Sequence, residues 1–435
     1  MERTIKQLIF IALMLIFICI HVQGLFHIKY EFPLHGGVVY AGKPTLNKNK
    51  WLDGSYQAEA EKYFNEQFGF RSTLVRLRNQ MDYSLFKKVN ANGAIIGKQN
   101  YLYEHNYIKA YYGADAITDS LLIDQVKKLK YIQEALQQKG ILFTVIFAPG
   151  KAAFYPEFIP DNLKPNTYHT TNIERYLYQC KSLSVNHINL HSWFNYLKNK
   201  SPYPLYSKYG IHWSEYGRNL AADSIINYVS TKLQQPLPHF SFGKPYTSTV
   251  MQGVDNDIAD GMNLLFKMPE QTMAYQTISV DKKPNDVQPK LLTVADSYWW
   301  QMFNIHISEH IFSNGKFLFY NRECHTENQP MQDVGMLNLK AEVLNSNVVL
   351  LLATDANLPN LGWGFINNLY KDLTTYSDTD KWANADYINR VNSMKAYIKT
   401  QADWYNGVVK QAQEKNISVD SMLTINAAFT VDQQK

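Results

Sequence analysis

Cysteine, dense charge and internal repeats are scarce or absent in this sequence of 435 residues. Only three cysteines occur, and no Cys/His spacing suggests a structural zinc site. Cys19 lies in an apolar run, so only Cys180 and Cys324 could form a disulfide, and two buried thiols are equally plausible. The net charge of +5 is spread thinly, without a dense lysine or arginine run or an RNA-binding signature. We therefore expect no nucleic-acid partner.

A membrane segment is predicted at the N-terminus. A short basic stretch precedes an apolar run over residues 8–22, whose length lies between those of a signal peptide and a spanning helix. No clear Ala-x-Ala cleavage site follows it, and residues 23–24 make only a weak one. The pattern favours an uncleaved signal anchor over residues 1–26, with a cleaved signal peptide as the alternative. Both place the rest of the chain outside the cytoplasm, beginning with a membrane-proximal linker over residues 27–50.

Apolar runs that resemble buried strands alternate with helical patterns through most of the chain. The predicted core strands are 141–148, 187–190, 291–294 and 347–353. The helices that separate them include 121–138, 172–183 and 214–233. Such alternation predicts an α/β fold with a largely parallel sheet. We assign residues 51–370 to this domain and residues 371–435 to a C-terminal helical extension.

A serine follows one of these strands directly. The run over residues 291–294 stops at Ala295-Asp296-Ser297-Tyr298. In open α/β sheets, ligands and chemistry collect at the carboxyl ends of the strands. A serine there becomes a nucleophile only when a base lies nearby.

The candidate base is His212, in the segment Gly210-Ile-His-Trp-Ser214 that precedes a predicted helix. Ser214 is placed to cap that helix, and a helix-entry loop can project an imidazole into a cleft. Histidine titrates near neutrality and is the usual partner of a catalytic serine. Taken alone, each motif is more often structural, His212 packing on its neighbour and Asp296-Ser297 capping a turn.

Together, the two motifs resemble the AlgX/AlgJ-type SGNH-hydrolase-like proteins. The usual patterns of that family are Asp-x-His-Trp and then Gly-(Asp/Thr)-Ser-(Tyr/Phe), an order permuted relative to ordinary SGNH esterases. The segments 147–151 and 97–103 also resemble it. The resemblance implies an SGNH-hydrolase-like three-layer sandwich. It also implies a site built on Ser297, His212 and an acid, with no cofactor and no metal.

One departure from the family pattern concerns the acid. The family's acid lies two residues before the histidine, where this sequence has Gly210. A triad acid orients the imidazole and stabilises its protonated form. We assign Asp296 to this role, and other acids that loop position makes possible are Asp257, Asp260 and Asp355. Two alternatives stay open: a backbone carbonyl could hold the imidazole of a Ser-His dyad, or the site could be inactive.

The resemblance also implies a function. It predicts an extracytoplasmic O-acetyltransferase or acetylesterase that acts on a polysaccharide through an acyl-enzyme at Ser297. Backbone N–H groups near Ser297 and Tyr298 would hold the oxyanion, with Asn321 as one guess for a side-chain donor. A multi-spanning membrane O-acyltransferase would supply the acetyl group. The alternative is a non-catalytic scaffold or glycan-binding protein, which Gly210 favours.

Overall fold

The computed structural model describes residues 2–36, 40–374, 385–415 and 417–433. The chain divides into two compact units, residues 1–366 and 367–435. The helices are α1 Glu2–Phe26, α2 Lys48–Leu52, α3 Ser55–Gln67, α4 Arg71–Phe86, α5 His105–Tyr111, α6 Asp119–Gln137, α7 Lys151–Phe154, α8 Asn172–Ser182, α9 Leu190–Leu197, α10 Glu215–Leu233, α11 Asp257–Gly261, α12 Trp299–Phe303, α13 Ile307–His310, α14 Leu339–Leu344, α15 Phe365–Thr374, α16 Ala385–Thr400, α17 Ala402–Glu414 and α18 Val419–Gln433. The strands are β1 Ala94–Ile96, β2 Leu102–Glu104, β3 Leu142–Ala148, β4 His187–Asn189, β5 His239–Phe242, β6 Tyr246–Ser248, β7 Met273–Tyr275, β8 Ile278–Asp281, β9 Lys290–Ala295, β10 Ser313–Phe319, β11 Glu323–Thr326, β12 Gln329–Asp333 and β13 Val348–Thr354.

A seven-stranded sheet forms the centre of the first unit, in the order β12-β11-β10-β9-β13-β3-β4. The five strands from β10 to β4 pair in parallel, and β11 and β12 add an antiparallel edge. Strand β13 is buried along its whole length and β3 along nearly all of it. Continuous apolar runs are typical of parallel strands that are covered on both faces. The predicted α/β class with a largely parallel sheet is confirmed, and the four predicted core strands correspond to β3, β4, β9 and β13.

The position of β9 decides where the site lies. This strand pairs with β10 on one side and β13 on the other, so its carboxyl end opens near the middle of the sheet edge. Helix α10 begins where the sequence predicts, because the Ser214 hydroxyl accepts the N–H of Gly217 at 3.0 Å and caps the helix. The polar segment between α10 and β9 forms β5 to β8 and the short helix α11. Cys180 and Cys324 are both buried and free, so the two thiols do not pair.

Helices outside the sheet domain mark the two ends of the chain. Within the described residues, one helix, spanning Arg3–Phe26, is long and apolar enough to cross a membrane, and its side chains face almost entirely outward. In the second unit, helices α16 to α18 enclose a small apolar core of their own. The predicted extension over 371–435 includes residues 375–384, 416 and 434–435, which lie outside the described residues.

Candidate active site

Ser297 lies two residues beyond β9 and is half-buried, although Asp296 before it and Tyr298 after it are completely buried. The end of β9 therefore holds the backbone of Ser297 firmly but leaves its hydroxyl accessible. Two residues later the chain turns into α12. Ser297 therefore lies at the carboxyl end of a central strand, as expected from the sequence.

The loop that carries His212 is fixed on both sides by buried polar contacts. The Lys151 ammonium group donates to the carbonyl oxygens of Lys208 and Gly210, each at 2.7 Å. On the other side, the Tyr298 hydroxyl donates to the carbonyl oxygen of Ile211 at 2.8 Å. Burial keeps the pKa of Lys151 well below its usual range. Such anchoring limits the rotation of the imidazole, whose ring centre lies 4.8 Å from that of Tyr298.

The two predicted residues meet. The Nε2 atom of His212 lies 3.0 Å from the hydroxyl oxygen of Ser297, although 85 residues separate them in sequence. This distance permits direct proton transfer from the serine to the imidazole. The predicted pairing of strand end and helix-entry loop therefore has the geometry that nucleophilic catalysis requires.

The opposite side of the imidazole contacts Asp257. The Oδ2 atom of Asp257 lies 2.6 Å from Nδ1 of His212, and its Oδ1 atom accepts the N–H of Ile211 at 2.8 Å. Asp257 is the first residue of α11, so the irregular segment between the two sheet halves supplies this acid. One carboxylate thereby fixes both the ring and the backbone of the histidine segment, as a triad acid does.

The assignment of Asp296 as the acid needs correction. One oxygen of its carboxylate accepts the N–H of Tyr298 at 3.0 Å. The other accepts the N–H and hydroxyl of Thr354, each at 2.8 Å, and the amide of Asn357 at 2.9 Å. Asp296 thus joins the end of β9 to the end of β13 and does not contact His212. Burial, the larger effect, raises its pKa, and these hydrogen bonds oppose the rise.

The remaining acids also have other partners. Asp260 is exposed and accepts the amide of Asn256 at 2.7 Å. Asp355 is buried, accepts the N–H of Gly150 at 3.0 Å, and lies 3.7 Å from the ring of His191. Of the four acids that loop position made possible, the structure brings only Asp257 to the imidazole.

Gly210 and Asp257 are linked by packing. A Cβ atom at position 210 would lie 2.4 Å from the carbonyl oxygen of Val254 and 3.1 Å from the carbonyl carbon of Asp255. The loop that delivers Asp257 therefore occupies the space that a side chain at 210 would need. The lack of a side chain at Gly210 therefore makes room for the loop that brings Asp257 to His212.

Tyr320 also lies beside Ser297. Hydrogen bonding with the hydroxyl and the backbone N–H of Ser297 lowers the pKa of the Tyr320 phenol, although burial, the larger effect, raises it. Tyr320 follows β10 and has a positive φ of 48°, a conformation that is strained for a tyrosine. Its ring meets that of Trp363 edge-on at 5.0 Å.

Two sequence-based guesses about the oxyanion do not match the structure. The amide of Asn321 donates to the carbonyl oxygen of Trp363 at 3.2 Å and so fixes a loop. The N–H of Tyr298 is already bonded to Asp296. The N–H of Ser297 and the phenol of Tyr320 lie next to each other at the serine hydroxyl.

Comparison with known proteins identifies a similar family. Residues 94–289 match the family described as "SGNH hydrolase-like domain, acetyltransferase AlgX". Residues 94–289 are therefore similar to an SGNH-hydrolase-like domain. The matched range includes His212 and Asp257 and ends just before β9. The resemblance inferred from the sequence motifs is confirmed.

Named relatives are distant. Two probable alginate O-acetylases AlgJ, from Pseudomonas putida and Pseudomonas aeruginosa, are 21% and 22% identical over 179 and 174 residues. These matches cover 41% and 40% of this chain but 44% and 42% of the relatives, so less than half of each relative's length is matched. The O-acetyltransferase domain of P. putida AlgJ is 14% identical, with a TM-score of 0.42 over 64% of this chain and 99% of that domain. AlgX of P. aeruginosa is 11% identical, with a TM-score of 0.40 over 63% of this chain and 67% of its own.

Two carboxyl groups near Asp257, those of Asp255 and Glu104, have raised pKa values. Burial, the largest effect, raises the pKa of Asp255 to about 7, with Glu215 and Asp257 adding negative charge and the phenol of Tyr275 opposing the rise. Burial and the nearby Asp257 likewise raise the pKa of Glu104, while His212 opposes it. The site therefore contains carboxyl groups with different environments, which is typical of functional sites.

Proposed function

We propose that this protein is an extracytoplasmic O-acetyltransferase or acetylesterase that acts on a cell-surface or exported polysaccharide through an acetyl-serine intermediate. The observation that carries the proposal is the continuous contact from Ser297 through His212 to Asp257. The relatives named as alginate O-acetylases support the acetyl-transfer chemistry.

The first half-reaction acetylates the serine. His212 accepts the hydroxyl proton through Nε2 while the Ser297 oxygen attacks the acetyl carbonyl carbon. Asp257 holds the imidazole in the tautomer whose Nδ1 carries a proton and stabilises the imidazolium that forms. The tetrahedral intermediate collapses when His212 returns the proton to the leaving oxygen, which departs as an alcohol.

The oxyanion that forms in both half-reactions needs hydrogen-bond donors near Ser297. We assign this role to the backbone N–H of Ser297 and the phenol of Tyr320, since these donors lie beside the serine oxygen. The strained backbone of Tyr320 supports a functional role for this residue, because strain of this kind persists where it is required.

The second half-reaction transfers the acetyl group to an acceptor. A sugar hydroxyl gives O-acetylation and water gives hydrolysis, with His212 removing the acceptor's proton in both cases. We propose that α1 anchors the chain with this domain on the periplasmic side. A multi-spanning membrane O-acyltransferase would supply the acetyl group there.

Turnover of a chromogenic acetyl ester by the purified full chain tests this function. We expect Ser297→Ala and His212→Ala to abolish turnover, and mass spectrometry to detect an acetyl group on Ser297 in the wild type. Ser279→Ala, at an exposed serine, is the matched control and should retain activity. Turnover that survives Ser297→Ala would exclude the assigned nucleophile, and acetylation of added polysaccharide would separate transferase from esterase.

The alternative of a non-catalytic scaffold loses its main support. It was favoured by Gly210, which removes the family's usual acid from the sequence. Because Asp257 contacts His212 at 2.6 Å, the imidazole does have an acidic partner.

A further inference from the structure

Helix α4 presents its apolar side chains outward. Leu74, Leu77, Met81 and Leu85 follow the i, i+3, i+7, i+11 spacing of one helix face, and their exposed fractions are 38%, 43%, 53% and 67%. We call these four residues the α4 stripe. In a helix of a soluble protein, such a stripe normally faces the core.

The side of α4 that contacts the rest of the unit is mostly polar, although Tyr83 also packs against the apolar core. The amide of Asn79 donates to the carbonyl oxygens of Met262 and Asn263, at 2.9 and 3.3 Å. Gln80 accepts the N–H of Phe266 at 3.0 Å, and Arg76 donates to the carbonyl oxygens of Phe32 and Pro33. Hydrogen bonds therefore attach this helix to its neighbours, and the apolar stripe is not needed for that attachment.

The start of α4 lies against the end of the N-terminal apolar helix. A Cβ atom at Gly69 would lie 2.3 Å from the carbonyl oxygen of Ile20 and 2.5 Å from the backbone nitrogen of Gly24. Because α1 ends at Phe26, this contact places the turn before α4 at the level where α1 would leave a membrane. Aromatic residues that suit such a boundary flank it, and Phe26, Tyr30 and Phe32 are each at least 70% exposed.

The charge of α4 complements an anionic surface. Between residues 71 and 88 there is a single acidic residue, Asp82. The basic residues in this range are Arg71, Arg76, Arg78, Lys87 and Lys88. A helix with an apolar face and an excess of arginine and lysine is typical of segments that lie in the interface of a bilayer.

We propose that the α4 stripe binds the surface of an anionic lipid bilayer, with α4 lying along the membrane that α1 spans. This rests on the anchoring by α1 and is independent of the acetyl-transfer chemistry. The polar face of α4 then holds Met262 and Asn263, which directly follow α11, the helix that supplies Asp257. The membrane-bound helix would thus support the element that carries the acid of the site.

Fluorescence quenching by lipid in liposomes tests the proposal. The full chain is made with Cys19→Ser, Cys180→Ala and Cys324→Ala, and a single new cysteine, Leu74→Cys or Leu85→Cys, carries an environment-sensitive fluorophore. The liposomes combine phosphatidylcholine, phosphatidylglycerol and a lipid with a nitroxide near its headgroup. We expect strong quenching at both positions and weaker quenching without phosphatidylglycerol. Leu121→Cys is the matched control, since Leu121 is an α6 leucine with the same 43% exposure as Leu77, and should not be quenched.

Four results would overturn the proposal. Absence of quenching at both positions in protein that resists alkaline extraction would exclude lipid docking. Quenching at position 74 alone would show that α4 lies at a steep angle to the surface. Quenching only in liposomes that also contain native membrane proteins would indicate a protein partner. Protein released by alkaline extraction would overturn the anchoring itself.

A second measurement leaves the native cysteines in place. Hydrogen–deuterium exchange of residues 71–86 should slow in anionic liposomes relative to neutral ones. Leu77→Glu with Met81→Glu should remove this difference without lowering the thermal midpoint in detergent, because both side chains are exposed. Leu121→Glu, the control, should leave the difference unchanged. Equal exchange of the wild type in both kinds of liposome would contradict the proposal.

Discussion

At the residue scale, Asp257 makes two separate contacts. One carboxylate oxygen faces the His212 ring, and the other accepts the N–H of Ile211. Asp257→Asn keeps an oxygen for the backbone contact but can place an N–H group opposite Nδ1, which favours the wrong tautomer of the imidazole. We expect kcat for acetyl-ester turnover to fall roughly a hundred- to ten-thousand-fold with little change in stability. Steady-state kinetics and thermal unfolding measure the two effects.

The control for this variant is Asp260→Asn, which changes an exposed carboxylate of the same helix. It should retain wild-type kcat. An Asp257→Asn enzyme with nearly full kcat would show that the imidazole needs no acidic partner here.

Asp255 should make the stability of the fold depend on pH. Its pKa is about 7 in the folded chain, mainly because it is buried, against about 3.9 in an unfolded chain. Between these values the folded state binds the extra proton, so the free energy of unfolding falls as pH rises from about 4 to about 7. We expect the free energy of unfolding of Asp255→Asn to fall by about 2 to 4 kcal/mol less than that of the wild type over this pH range. Denaturant unfolding at a series of pH values measures this difference. Asp281→Asn, at an exposed strand end, should keep the wild-type slope, and an unchanged slope in Asp255→Asn would contradict the assignment.

At the element scale, the loop before α11 and the loop before His212 fit together only because residue 210 has no side chain. Gly210→Ala would bring a methyl group to 2.4 Å from the carbonyl oxygen of Val254. We expect the displaced loop to cost about 1 to 3 kcal/mol of stability and to lower kcat at least about tenfold, because Asp257 moves with it. Gly261→Ala is the matched control, since no atom lies within 4 Å of its added Cβ atom.

An aspartate at position 210, where the family has its acid, tests more strictly whether the loop that carries Asp257 excludes a side chain there. Gly210→Asp combined with Asp257→Asn should stay as inactive as Asp257→Asn alone, because the new carboxylate meets the same loop. Recovery of activity in the double variant would show that the two positions are interchangeable and that the loop is mobile enough to make room.

This arrangement also shows what the sequence can reveal. Strands β9 and β13 were predictable because their apolar runs are buried on both faces, and Ser214 was predictable because capping is local. The pair His212 and Ser297 followed from family motifs. The sequence could not identify Asp257, among four candidate acids, as the partner of His212. The two residues are 45 positions apart, and the sequence around Asp257 is that of an ordinary helix start. Gly210 was a sequence signal that the acid comes from elsewhere. Only the structure shows that the loop carrying Asp257 packs against this glycine. Tyr320 carried no motif at all.

At the scale of the whole molecule, the proposed acetyl-transfer site and the proposed membrane contact involve different parts of the first unit. Ser297, His212 and Asp257 lie at the strand ends of the sheet and on its covering loops. The α4 stripe begins close to Gly69, which lies against the end of the N-terminal helix. The two parts meet through the hydrogen bonds of Asn79 to the chain after α11. An acetyl group delivered at a membrane surface would therefore reach a site whose acid is supported from the membrane side.

The second compact unit, residues 367–435, should be dispensable for acetyl-ester turnover. It has its own apolar core, which includes Val391, Ile398 and Leu423, whereas Ser297, His212 and Asp257 all belong to the first unit. A chain that ends at Thr374 retains the whole of α15, and we expect its kcat/KM for a small acetyl ester to stay within about twofold of the full chain. Circular dichroism and a cooperative thermal transition would establish that the shortened chain folds. A folded but inactive chain would show that the second unit takes part in the site, and normal ester turnover with loss of polysaccharide acetylation would assign that unit to acceptor binding.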